Sequence, residues 1–564
     1  MKKKHFLIGT LAVLALSLTS CDYIARFFSE IGEGGIIFGD SSSNIGESSD
    51  EPEVSSSKEP SSDVSTPPAG DLTAKAASSR YSDLVDNSVY PISCTPSKGT
   101  AKLLIIPVWF TDSKNFISES KRENVRNDIE KAYFGNASEV GWQSVKSFYE
   151  EESLGALTLT GTVSAWYECG KSYSNYSKDP ASSESGAPKT SALVETATTW
   201  YFENHSSENR RDYDCDGDGY LDGVMLIYAA PDYDTLNKST YTNLWAYCFW
   251  IQDYTVQSPL NPGVNAFFWA SYDFMYGQEV ASARTGTTYH AGDTSHCSID
   301  AHTFIHEMGH MFGLEDYYDY SELSYQPAGA FSMQDHNVGM HDPFSSFALG
   351  WGKAYIPTES TTIDLKPFAT DGEMIVLSPQ WNVYNSPFDE YLVLEYYTDL
   401  GLNEFDTTNK YMKQYGKNYP TGTHDYGIRL WHVDARLVYT MTGEFSANKV
   451  TTNPKISSGR VALMMSNTYY DGDEYSEAYC SVLGTGYANY NVLQMIRNST
   501  TATYKPKDMF SSSSLFKAGD SFTMSKYSKQ FVNSGKLNNK TDLGFSFEIN
   551  ACNSTYASIT ITKL

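Results

Sequence analysis

Residues 306–316 read HEMGHMFGLED, and few local structures can use that spacing. Residues four apart lie on one face of an α-helix, so His306 and His310 can aim two imidazole nitrogens at one point, the arrangement of a metal site. Glu307 stands at the edge of that face, where its carboxylate can reach a water beside the metal without occupying the metal. Ala301, Phe304, Ile305, Met308 and Phe312 recur at intervals of three and four, a buried stripe that mounts the helix rigidly. The helix is predicted to begin near Ser298 as its N-cap, with Asp300 in the first turn, and to end at Gly313, where a left-handed residue costs least. Two acids follow, Glu315 and Asp316, and either could complete the site. His302 lies on the same face one turn earlier, but at about 1.5 Å per residue it stands about 12 Å along the axis from His310, so these two cannot share an ion. Chance supplies HExxH in roughly one comparable chain per hundred, and the pattern extended to Gly313 and Asp316 in well under ~1 in 1,000.

The chain around this helix has 564 residues, too many for one hydrophobic core, so two or more domains are expected. Acidic residues number 68 against 41 basic, a formal charge of −27, and the basic residues form no stripe, which argues against nucleic-acid binding. The opening MKKKHFLIGTLAVLALSLTSC sets a lysine cluster before an apolar run, Phe6 to Leu18, too short to span a bilayer comfortably: a secretion signal. Its end, Leu18-Thr19-Ser20-Cys21, resembles the bacterial lipobox. That resemblance implies that residues 1–20 are removed and that lipidated Cys21 anchors an extracellular protein to the outer face of a bacterial cell membrane. Residues 21–84, rich in Ser, Glu, Gly and Pro, cannot bury enough apolar surface to fold and read as a disordered tether.

Setting Cys21 aside from the eight cysteines leaves Cys94, Cys169, Cys215, Cys248, Cys297, Cys480 and Cys552, an odd number without CxxC spacing. Neither a disulfide framework nor a thiolate metal site is indicated. Cys94 is either a buried or paired cysteine or a thiolate that caps the metal and imposes latency. Order begins with AKLLIIPVWF at 101–110, a β-branched and aromatic run typical of a buried strand. Helices are predicted around 118–134, 142–153 and 190–204, with strands at ALTLTGTVSAWYEC and DGVMLIYAA. After Pro357 the helical pattern stops, and EMIVLSP, EYLVLEYY, GIRLWHVD, RVALMMS, FSFEI and ASITITKL read as strands. The fold class is α+β: a helix-and-sheet domain over 85–357 and a β-rich, sandwich-like domain over 358–564.

The extended pattern HExxHxxGxxD resembles that of the metzincin-type zinc peptidases, in which the glycine lets the chain leave the helix and swing back with a third ligand. The resemblance favours Asp316 over Glu315. Most metzincins have histidine there, which narrows the comparison to a few families, among them the immune inhibitor A family of secreted bacterial peptidases. SVKSFYEEESLGALTLTG is similar to the segment near the start of that family's catalytic domain. FSMQDHNVGMHDPFSSFALGWGK resembles its Met-turn and following helix, with Met333 as the methionine beneath the metal, and EYLVLEYY and GIRLWHVD resemble its downstream strands. The likeness covers about residues 98–440 and is strongest over 301–351. It implies a metzincin-like catalytic domain, a mixed sheet plus the active-site helix, acting on protein or peptide substrates. Zinc would be held by His306, His310 and Asp316, with Glu307 taking a proton from water and passing it to the leaving amine. The tyrosine that some metzincins carry two residues after the methionine is absent, Asp335 standing there, so the residue that assists the oxyanion stays open. Two other readings stand beside the endopeptidase: a catalytically silent surface adhesin, against which the intact Glu307 argues, and a zinc amidase acting on cell-wall peptides. The β-rich domain would then take a glycan or protein ligand.

A second metal signal is DCDGDGYLD at 214–222. Asp214, Asp216 and Asp218 alternate, Gly219 stands at the sharp turn, and the Tyr220 carbonyl and Asp222 follow at the spacing of a calcium loop. Met225 occupies the place of the bidentate glutamate, so this is not an EF-hand. A polar turn in solvent is the alternative, but crowded aspartates without a cation would repel, and a structural calcium bracing the next strand is expected.

Overall fold

The structure, a computed structural model, describes residues 72–85, 93–176, 189–232, 243–251, 258–276, 299–319, 325–408, 420–441, 449–456, 459–467 and 490–564. The export signal, Cys21, residues 21–71 of the tether and Ser298 lie outside the described residues.

The first sheet is built on β1 (Gly99–Trp109). Its run LLIIPVW lacks alternation because both faces are covered. Leu103 and Ile105 join the core of the metal-site helix, while Leu104, Ile106 and Val108 pack with Leu193, Val194 and Ala197 of helix Lys189–Asn204. β2 (Leu157–Val163), β3 (Tyr167–Glu168) and β4 (Val224–Tyr228) run parallel to β1. β5 (Tyr247–Trp250) pairs antiparallel with β6 (Ala266–Ser271), which is parallel to β4, so the order is β2-β1-β4-β6-β5 with β3 also beside β1. Helix Val145–Glu152 shares a core with the metal-site helix, and the Tyr149 hydroxyl donates to the Ile305 carbonyl at 2.6 Å.

The metal-site helix spans His302–Met311 and so begins later than predicted. Its cap residue is Ala301, which offers no side-chain acceptor. Asp300, expected inside the first turn, instead precedes the helix and accepts the His302 N–H on Oδ1 at 3.0 Å.

The change to strands comes where expected, and each of the six predicted strands after Pro357 is present, but no linker marks it. Lys353–Tyr355 pairs with Glu373–Leu377 across Pro357 in a five-stranded sheet. Its spatial order is Leu493–Ile496, Gly427–Asp434, Glu390–Tyr397, Glu373–Leu377, Lys353–Tyr355. One face of this sheet, with Val376, Val393, Trp431 and Met495, lies in the core that holds Met308, Phe331 and Met333. The other, with Ile375, Leu392, Leu394 and Leu430, shares a second core with Phe522, Phe547 and Ile559 of a four-stranded sheet. That sheet comprises Ser521–Phe522, Phe545–Cys552, Ala557–Lys563 and Thr361–Leu365. The boundary expected at 357/358 falls between two strands of one sheet, whose two faces lie in different cores. Part of the stretch expected as tether, from Lys75 to Leu84, packs on this fold. Lys75 bridges Ala354, and Tyr81 of helix Tyr81–Val85 is buried edge-on against Phe344 and Phe388. Tyr81 and Leu84 supply the apolar surface that the preceding Ser and Pro tract lacks.

Candidate metal centre

The helix ends in a two-bond glycine cap: the N–H groups of Gly313 and Leu314 donate to the carbonyls of His310 and Gly309 at 2.8 and 3.2 Å. Gly313 sits at φ +97°, a conformation cheap only without a Cβ, and the turn brings Asp316 back to the histidines. Asp316 Oδ1 lies 3.1 Å from His306 Nε2 and 3.3 Å from His310 Nε2, and the two nitrogens are 3.2 Å apart. The other ring nitrogens set the tautomers. His306 Nδ1 donates to the Met333 carbonyl and His310 Nδ1 to the Leu314 carbonyl, each at 2.7 Å. A carbonyl accepts only from an N–H, so in the neutral rings both Nε2 lone pairs face the carboxylate. Such a cluster repels itself without a cation. Tetrahedral zinc with bonds of about 2.0–2.1 Å would set neighbouring donor atoms about 3.3 Å apart, so the observed triangle fits it. Burial alone would raise Asp316, but the neighbouring His310 and His306 hold its carboxyl well below the usual range, and it is an anion.

The remaining candidates fall into place around the triad. Glu315, the alternative acid, has Ser466 as its side-chain partner and is not among the converging groups. Glu307 is buried one residue after His306. His302 is held apart between Asp300, at 2.7 Å, and Asp406, at 3.1 Å, and stacks on Trp142 with 4.4 Å between ring centroids. Cys94 is buried against Gly313, where an added Cβ would come within 3.2 Å of its sulfur, and it is not one of the groups converging with the histidines. Met333 is fully buried with Met308 and opens the short helix Met333–His336. Asp335, in the place of the metzincin tyrosine, has a bracing task. Its Oδ2 accepts the N–H of Ala330, a left-handed non-glycine residue at φ +68°, at 2.8 Å, and its Oδ1 pairs with His336 Nδ1.

Several supporting residues carry no local sequence signal, because their partners are remote in the chain. Arg429 donates to Glu395 through Nε and Nη2 at 2.7 and 2.8 Å, and through Nη1 to the Phe331 carbonyl at 2.9 Å. Asp406 accepts the Gly339 N–H at 2.7 Å and Asn403 that of Met340 at 3.2 Å. His341, pushed down to about 3 by burial and by its nearness to His306 and His310, points Nε2 at Gln334 Oε1.

A second group converges at Asp214, Asp216 and Asp218. Gly219 N–H donates to Asp214 Oδ2 at 3.2 Å, while Asp214 Oδ1 is buried without a hydrogen-bond partner. Burial and the adjacent Asp216 push Asp218 up to about 7. Tyr220 is bridged to Gly263 beside this loop. Asp222 is not among the three converging groups; its Oδ1 accepts from Cys215 N–H at 2.8 Å and its Oδ2 from Lys102 N–H at 2.7 Å, so it ties the loop to β1.

Residues 92–335 match the family model described as immune inhibitor A peptidase M6, catalytic domain. No curated protein matches the chain. Since the matched span runs from ahead of β1 to just past Met333, the helix-and-sheet region of this chain is similar to the catalytic domain of the immune inhibitor A peptidases.

Proposed function

We propose that the chain is a zinc-dependent endopeptidase cleaving peptide bonds of proteins on a metzincin-like catalytic domain, with a sandwich-like pair of sheets behind it. The convergence of His306 Nε2, His310 Nε2 and Asp316 Oδ1 within hydrogen-bond distance of one another carries this reading. Zinc held there would supply Lewis acidity, polarising the scissile carbonyl and acidifying water toward neutral pH. The chain's own groups do the rest. The Met333 and Leu314 carbonyls keep each ring proton on Nδ1 and so keep Nε2 available. The Glu307 carboxylate accepts the proton of the attacking water and returns it to the leaving nitrogen. Calcium at Asp214, Asp216 and Asp218, without Asp222, would neutralise crowded acids and brace the loop before β4; it should raise the unfolding temperature of wild type but not of Asp218→Asn. Anchoring through lipidated Cys21 rests on the sequence Leu18-Thr19-Ser20-Cys21.

The test is hydrolysis of casein and, in parallel, of peptidoglycan by wild type and Glu307→Ala. Casein cleavage by wild type alone is expected. Cleavage of peptidoglycan but not casein would favour the amidase, and no cleavage of either the silent binding protein.

A further inference from the structure

Gln334, next after Met333, is fully buried. We propose that Gln334 is the positioning residue of the metal centre, fixing the distance between the ligand loop and the helix that carries both histidines; this rests on the zinc reading above. Its carbonyl accepts the N–H of Tyr317, which follows Asp316, at 2.9 Å. The carbonyl just before it, that of Met333, holds His306 Nδ1 at 2.7 Å. Two consecutive carbonyls thus set one histidine and the chain next to the aspartate in register.

The side chain completes the clamp. A Cβ on Gly309 would lie 2.1 Å from Gln334 Oε1 and 2.6 Å from its Cδ, so the amide fills the space where any larger residue would project. Glycine inside a helix costs about 1 kcal/mol relative to alanine, and Gly309 stands in mid-helix between Glu307 and His310; the amide explains why that cost is borne. Gln334 Oε1 accepts from His341 Nε2 at 3.2 Å, and its Nε2 lies 3.4 Å from His310 Nδ1, so the amide is wedged between the second ligand and a buried imidazole. His310 therefore has an amide on one side and the Leu314 carbonyl at its N–H, and its ring has little freedom to turn from the metal.

The experiment is a competition titration of zinc against a chromogenic chelator, using the full chain as wild type, Gly309→Ala, Gln334→Ala and the double variant, with the unfolding temperature of each apo-protein measured alongside. Each single variant should weaken zinc affinity about ten- to hundred-fold, as loss of a group supporting a ligand does. The double variant should bind no worse than the weaker single, because the three atoms nearest the added methyl all belong to the Gln334 amide. Affinity of Gln334→Ala within about twofold of wild type, or losses that simply add, would overturn the proposal whatever the unfolding temperatures do. If Gly309→Ala does not fold, Gln334→Met, which keeps the volume and removes the amide, decides by the same criterion. Wild type that binds no zinc at all would instead sink the zinc reading itself.

Discussion

Asp406 joins the amino end of the metal-site helix to the loop that carries Met333. It takes His302 Nε2 on both carboxylate oxygens at 3.1 Å and the Gly339 N–H at 2.7 Å. Burial would lower His302, but Asp406 and Asp300 outweigh it and raise the imidazole to about 10. The folded value lies above the unfolded one, so the stabilisation is complete below about 6.5 and is lost as pH rises through about 10. Unfolding free energies of wild type and His302→Gln should therefore converge between pH 7 and 10, at a slope near about 1.4 kcal/mol per pH unit for one proton. A constant difference over that range would mean a neutral ring. Arg429 and Glu395 form a comparable buried pair, both almost wholly removed from solvent. Arg429→Met leaves Glu395 charged and the Phe331 carbonyl without its donor, an expected loss of about 3–5 kcal/mol. Adding Glu395→Leu should return much of it in denaturant unfolding, and an equal loss in the double variant would count against the pairing.

At the scale of elements, the strands behind the site are structural members of it. Residues 358–467 hold the Met333 loop and the ligand loop through Arg429, Asp406 and Asn403, and through Asn467, whose amide donates to the Tyr317 carbonyl at 2.8 Å. A fragment ending at Pro357 should show no cooperative unfolding and no zinc binding; a folded fragment that titrates with zinc would separate the halves after all. The metal-site helix was legible in the sequence because its apolar stripe and its histidines share one period. Its start was not: Ala301 offers no cap, and the stabilising contacts of His302 come from Asp300 and from Asp406, far along the chain. Strand Glu390–Tyr397 is legible in the sequence as a strand, but its place between two cores is less so. Its uninterrupted run LVLEYY is buried throughout, the mark of a strand covered on both faces, and that run carried the missing information. A carboxylate at loop spacing reads the same in sequence whether or not it also takes two backbone N–H groups, as Asp222 does.

For the whole molecule, a packed series runs from helix Lys189–Asn204 through the first sheet, the metal-site helix and the five-stranded sheet to the four-stranded one. The centre lies in the middle of that series, where cores on both sides hold it still. Protons compete with a metal for the two imidazole nitrogens, whereas Asp316 stays anionic, so bound zinc and proteolysis should fall together in mild acid. A flat rate profile from neutral to moderately acidic pH would contradict this. The central claim is tested most directly by zinc content per chain after exhaustive dialysis of wild type, Glu307→Ala, Glu315→Ala and Asp316→Ala. The expected result is about one zinc in the first three and less than about a tenth in the fourth, since only Asp316 closes the triad. Full zinc in Asp316→Ala, or its loss in Glu315→Ala, would contradict the account.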